Sequence, residues 1–224
     1  MSLLTEEESR RIAQAVEAAE RKSGGEITTA VIAESDDYGF RELLFAVVVG
    51  VAAWIAAVAA QTPLTALLER LFWGWEPWML SGAQGAVGMV TGLLAYYIAQ
   101  IPAVDRIIVP RAVRHEAVAR RARRHFVDSG TYDTVDQTGI LIFVSILERR
   151  VELIADRGIN RQVAPDTWSG IVGRLTDGIR GGKLADALVE AVSACGDVLE
   201  GRVTRRSDDT NELTDRPDQL EKGS

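Results

Sequence analysis

The chain has 224 residues, a quarter of them charged, and a formal net charge of −7 at pH 7. That acidity excludes a general nucleic-acid binder, whose surface must be basic to meet phosphates. The length allows one modest domain of ~100 to 150 residues plus a smaller element. Cys195 is the single cysteine, so no intrachain disulfide and no thiolate zinc cluster can form, and it reads as a small core residue on a helix.

In chain order, Thr5-Glu6-Glu7-Glu8 has the spacing of a capping box. It opens a helix with Leu4, Ile12, Val16 and Ala19 on one face, ended by Gly24-Gly25. The amino terminus lacks the basic-then-apolar-then-small order of a cleaved signal peptide. Residues 26–33 (EITTAVIA) are rich in β-branched side chains and predict a strand. Ser35-Asp36-Asp37-Tyr38 follows it directly.

Two apolar stretches come next. No Asp, Glu, Lys, Arg or His lies between Glu42 and Glu69 or between Glu76 and Asp105. Residues 43–61 and 79–101 are each long enough to cross ~30 Å of hydrocarbon at ~1.5 Å per helical residue. The short segment between them makes residues 42–104 a transmembrane hairpin, with the first helix as insertion signal. Both flanks then lie on one side. Arg106, Arg111, Arg114, Arg120, Arg121, Arg123 and Arg124 follow the second stretch closely, which by the positive-inside rule places both termini in the cytoplasm. Trp73, Trp75 and Trp78 crowd the outer end, where amphipathic rings prefer the headgroup layer. Ala46, Gly50, Ala53 and Ala57 on the first helix, and Gly85, Gly88 and Gly92 on the second, are small-residue stripes that allow close backbone approach. They suit packing of the two helices on each other and leave a homodimer through one stripe open. Without an ionisable group at membrane depth, transport is disfavoured.

After the hairpin, residues 111–127 predict a strongly basic helix. Arg111, Arg114, Arg120, Arg121 and Arg124 on it suit anionic lipid headgroups or an acidic partner. His115 and His125, ten residues apart, lack ligand spacing on one helix face and read as lipid-facing or solvated. Residues 138–145 (TGILIFVS) and 151–156 (VELIAD) predict two strands joined by a turn at residues 148–150. Pro165 opens a helix carrying Trp168, Ile171, Val172, Leu175 and Ile179 on one face. A last helix carries Leu184, Leu188, Val192, Cys195 and Leu199. Residues 204–224 are polar and aperiodic, and predict a disordered tail. The fold class is α/β: residues 1–41 and 105–203 form two parts of one soluble layered domain, because neither part alone has enough strands to be stable.

Gly25-Glu26-Ile27, Ser35-Asp36-Asp37-Tyr38, Asp136-Gln137-Thr138-Gly139-Ile140-Leu141-Ile142 and Glu148-Arg149-Arg150-Val151-Glu152 resemble the motifs of the TPM domain. Asp156-Arg157-Gly158-Ile159 and the Trp168 helix continue the likeness, which covers roughly residues 5 to 200. The resemblance implies a small α/β/α sandwich, here split by the two-helix hairpin as in a bacterial membrane-protein branch of the family. It also brings acid phosphatase activity and calcium binding, both assigned to some members. The common layout places the domain outside the cytoplasm, whereas the arginines place it inside.

A turn centred near Leu147 and Glu148 sets Gly139 opposite Asp156, so Asp136 and Asp156 emerge at one sheet edge, with Asp133 near them in the same loop. If the first strand runs parallel to the third, as in TPM domains, Asp36 and Asp37 join that edge. Several carboxylates at strand ends are suitable ligands for Ca2+ or Mg2+, although Asp after a strand also caps helices and closes turns. There is no Ser/His/Asp set, no HExxH and no phosphate-cradling glycine loop. The expectation is a non-catalytic membrane-tethered adaptor or accessory factor for a membrane protein complex, in the bacterial cytoplasmic membrane. The alternative is a divalent-cation-dependent acid phosphatase built on Asp36, Asp136 and Asp156.

Overall fold

The computed structural model describes residues 3–74, 76–101, 104, 107, 109–134, 137–203 and 213–221. The elements are α1 (Glu6–Glu20), β1 (Glu26–Ile32), α2 (Gly39–Ala59), α3 (Gln61–Leu71), α4 (Pro77–Ala99) and α5 (Arg111–Asp128). A 3-10 turn (Thr131–Asp133), β2 (Gly139–Ser145), β3 (Arg150–Ala155), α6 (Arg157–Asn160), α7 (Pro165–Arg180), α8 (Leu184–Leu199) and β4 (Asp218–Leu220) follow. They form two compact units: Met1–Asp37 with Ala112–Ser224, and Tyr38–Arg111. The second unit interrupts the first in the chain.

The first unit is built on a four-stranded mixed sheet in the order β3-β2-β1-β4. β1 runs parallel to β2, with Glu26 opposite Gly139 and Ile32 opposite Ser145. β3 returns antiparallel to β2. The Asp156 N–H donates to the Gly139 carbonyl at 2.9 Å, so that expected register is observed. Gly139 is required here: a Cβ would lie 2.0 Å from the Thr131 carbonyl oxygen.

Both sheet faces are covered, which is why β2 reads as a continuous apolar run and all seven residues of β1 are buried. Successive side chains alternate between faces. Ile27, Val31, Ile140, Ile142 and Val144 join Ile12 and Val16 of α1, Trp168 and Leu175 of α7, and Leu188, Val192, Cys195 and Leu199 of α8 in one core. Ala30, Ile32, Leu141 and Phe143 meet Val118, Ala122 and Phe126 of α5 in another. Each large side chain removed from water contributes roughly 1.5–3 kcal/mol before chain entropy is counted. Thr5 caps α1 in the anticipated box: its hydroxyl accepts from Glu8 N–H at 3.2 Å, and Glu8 Oε2 accepts from Thr5 N–H at 2.8 Å.

The expected tail is corrected within its described part. Asp218–Leu220 pairs parallel with β1, Ala30 to Ile32. A three-residue strand has no readable periodicity, and a neighbour already in place induces it.

In the second unit, α2 and α4 pack along glycines. A Cβ on Gly50 would lie 2.9 Å from Gly88 O, and one on Gly88 would lie 2.8 Å from Trp54 Cβ. One on Gly92 would lie 3.3 Å from Ala46 O, whereas Gly85 faces open space. Helix-on-helix packing of the stripes is thus observed, with Gly85 outside it. The connection between the long helices is itself structured, as α3. α2 is long and apolar enough to cross a bilayer: its best window has mean hydropathy 2.3, with 11 % of it buried. α4 has the length but falls short in apolarity among the described residues, because Gln84, Thr91, Tyr96, Tyr97 and its glycines dilute the aliphatic content.

Candidate functional site

The sequence-derived acidic edge is divided by the sheet topology. Because β1 parallels β2, it opposes β3, and its carboxyl end emerges beside Ser145 rather than beside Asp156. Asp36 and Asp37 therefore leave the sheet at the edge opposite Gly139 and Asp156, about 20 Å away along strands rising ~3.3 Å per residue. Asp133 in the 3-10 turn precedes β2 and stays on the Asp156 side. Asp136 lies outside the described residues. Asp36 and Asp37 are thus separated from Asp133 and Asp156. Among the described residues no group of three or more His, Cys, Asp or Glu is placed to hold a metal ion.

Asp156 and Asp36 have local roles. Asp156 is the N-cap of α6, its Oδ1 accepting from Arg157 N–H at 2.6 Å. Its Oδ2 is buried without a hydrogen-bond partner. Asp36 Oδ1 accepts from the N–H of the next residue, Asp37, at 3.0 Å, and its Oδ2 pairs with Arg120 Nη2 at 2.6 Å. Asp133 and Asp37 are exposed.

The carboxyl edge of β1 and β2 carries a network that sequence reasoning missed. Ser35 Oγ donates to Ser145 Oγ at 2.8 Å, and Ser145 Oγ donates in turn to Glu148 Oε2. Glu148 Oε1 accepts from Ser35 N–H at 3.1 Å. All three residues are buried. Both Glu148 oxygens are thus occupied, which is how a buried carboxylate is tolerated. The Ser145 hydroxyl is already donor and acceptor at zero exposure, so it cannot attack a substrate. The network ties the exit of β1 to the β2–β3 turn. Its sequence signal was Ser145 three residues before Glu148, the same Ser-x-x-Glu spacing that caps helices.

The basic helix α5 is not a uniform cationic face. Arg111, Arg120 and Arg124 are exposed, with Arg120 engaged by Asp36 and Arg124 by Asp128 at 3.6 Å. Arg114 and Arg121 are half-buried, each with a buried Nε lacking a hydrogen-bond partner. They sit on the flank turned toward the sheet, since Val118 lies one helical turn from each. His125, read as lipid-facing or solvated, is instead half-buried, with its ring centroid 6.2 Å from that of Phe143 and its Nε2 3.1 Å from Asp218 Oδ2.

Hydrogen bonds from the Thr5 backbone and hydroxyl hold the Glu8 carboxyl below its ordinary range. Burial pushes the Cys195 thiol up to about 12, where it is inert as a nucleophile.

No protein-family model matches the chain, and no curated protein matches it. Among solved structures, it is similar to the NMR structure of the BA42 protein from the psychrophilic bacterium Bizionia argentinensis. The TM-score is 0.56 at 17 % identity, covering 97 % of this chain and 96 % of that one. At that identity the likeness is one of fold.

Proposed function

We propose that the protein is a membrane-tethered, TPM-like α/β module that acts as a non-catalytic adaptor or accessory factor for a membrane protein complex. The observation that carries this reading is the position of α2. A helix with 11 % of its apolar window buried is inserted between two chain segments that together make one unit. Such a helix needs an apolar solvent, and lipid is the natural one. In this reading α4 crosses beside α2, packed through Gly50, Gly88 and Gly92. Both termini face the cytoplasm, and Arg111, Arg120 and Arg124 meet anionic headgroups or an acidic partner. The register of β2 with β3 and the helices on both sheet faces support the TPM-like reading of the first unit.

The phosphatase alternative loses its geometric basis, because Asp36 and Asp156 lie at opposite sheet edges and the buried Ser145 is already hydrogen-bonded at both roles. The test pairs two measurements on the full chain. Photo-crosslinking from Arg124, replaced by a photoreactive residue, is run in native membranes, and turnover of a generic phosphate ester is assayed with Ca2+ or Mg2+. The adaptor reading expects a reproducible membrane-protein cross-link and no turnover. Turnover that disappears in Asp136→Asn would replace it with an enzyme.

A further inference from the structure

The outer edge of β1 is closed by the chain's own distant segment. The Glu26 N–H donates to Thr138 O, and the Ile32 carbonyl accepts from Ile146 N–H. Both lie on the β2 side, so by the alternation of a strand the backbone groups of residues 27, 29 and 31 face outward. Glu20 Oε1 takes the Ile27 N–H at 2.9 Å, and β4 covers the edge at Val31. An edge strand whose seven residues are all buried is a template for another strand unless it is occupied.

The segment that occupies it is held by few contacts. β4 makes three residue pairings, against about five or six residues in an ordinary strand. Its specificity lies in side chains. Asp218 Oδ2 is 3.1 Å from His125 Nε2. Gln219 Oε1 accepts from the Leu3 and Leu4 N–H groups at 2.8 and 3.1 Å, and its Nε2 donates to Leu4 O at 3.4 Å. Leu220 packs on the core of Ile32, Leu141 and Phe143. Arg216 adds an exposed ion pair with Glu6 at 3.2 Å. Any extended segment with an acidic residue, an amide and an aliphatic residue in that order meets the same three receivers. β4 is joined to α8 through residues 200–217, so it competes for the edge as a tethered ligand whose advantage is local concentration.

We propose that β4 is a displaceable strap, and that the outer edge of β1 is a strand-acceptor site which a partner protein fills with an extended segment of acidic–Gln–aliphatic pattern. Docking by strand addition supplies main-chain hydrogen bonds for affinity and side-chain receivers for choice. The proposal rests on the adaptor reading and names the way the partner docks.

The experiment uses the full chain in detergent and a fluorescein-labelled peptide of residues 213–221. Wild type is compared with Gln219→Ala/Leu220→Asp, which releases the tethered strand, and with the milder Gln219→Ala. The double variant is expected to bind the peptide at least about tenfold tighter than wild type, with the single variant between them. Hydrogen exchange on the same samples is expected to leave β2 amides protected in all three, and β4 amides opening faster than those of β2 in wild type.

Equal peptide affinity in wild type and a still-folded double variant would overturn the strap. So would β4 amides exchanging as slowly as β2 in wild type, a reading that holds even if the variants fail to fold. Concentration-dependent dimerisation of the released variant would overturn the choice of partner in favour of a second copy. These readouts use the chain's own peptide and do not depend on the adaptor reading. A membrane-protein cross-link of equal yield in wild type and the released variant would keep that reading and remove the strap.

Discussion

The two units use the same apolar side chains in opposite ways. In the α/β unit, Ile12, Leu141, Phe143 and Leu188 are wholly enclosed, while in the inserted unit Val48, Ile55 and Leu94 remain more than half exposed. Water accounts for the first arrangement, because removal from it drives burial. It does not account for the second, where an aliphatic face wraps a seam of small residues. In lipid the side chains gain nothing by turning inward, and close backbone approach through glycine becomes the means of association. On the membrane-tethered reading proposed above, one chain follows two packing rules, and the change between them near residues 38 and 111 marks the change of unit.

The contrast is broken most forcefully from the core. Phe143→Ala is expected to cost about 3–5 kcal/mol in a denaturation series. Val48→Ala, on the exposed face of α2, should stay within about 0.5 kcal/mol in detergent. Equal losses would mean that α2 packs on protein rather than on lipid.

Next comes the glycine seam. Gly88→Leu drives side-chain atoms into Trp54 and the Gly50 carbonyl, and should cost about 1–3 kcal/mol in unfolding of the helix pair. Gly85→Leu, facing open space, should be near neutral. The pair of variants sharpens the difference between stripe residues that touch and those that only share the spacing.

A smaller effect is expected at the start of α1. Thr5→Ala should cost about 1 kcal/mol. Glu8 has a folded-state pKa below its ordinary value. Its stabilising contribution is therefore complete above the ordinary carboxylate range and fades as pH falls through it. The wild-type advantage over Thr5→Ala should shrink on acidification, read by thermal melts at successive pH values. The smallest effect belongs to the Arg120–Asp36 pair, which is partly exposed on both sides. A double-mutant cycle should give less than about 1 kcal/mol.

What the sequence made legible follows the range of the interactions concerned. β2 was readable because burial on both faces leaves an unbroken run of Ile, Leu, Phe and Val, β1 because it is rich in β-branched residues, β3 because apolar and polar residues alternate at its start, and the Thr5–Glu8 box because it is local. The β2–β3 register followed from one turn. The placement of Asp36 and Asp37 failed because it hung on whether β1 parallels β2 or β3, a long-range choice that no local pattern records. β4 failed for the same reason, since Asp-Gln-Leu in a polar segment becomes a strand only beside β1. α3 was missed although Leu64, Leu67, Leu68 and Leu71 repeat at helical spacing, because the short segment after residue 61 reads as a plain connection between two membrane helices. In the Ser35–Ser145–Glu148 network the Ser145–Glu148 spacing is local, but Ser35 joins it from 110 positions away, which no local pattern records.

The central claim of the proposed function is that the α/β unit is tethered from the cytoplasmic side by helices that cross a bilayer. The most direct test is labelling of intact bacterial cells with a membrane-impermeant maleimide, using Trp73→Cys and Lys183→Cys as single reporters. Both positions are exposed, and the buried Cys195 thiol, pushed up to about 12, gives a silent background. The account predicts that position 73 is labelled in intact cells and position 183 only after lysis. Labelling of position 183 in intact cells would contradict the orientation, and recovery of the protein in the soluble fraction would contradict the tether itself.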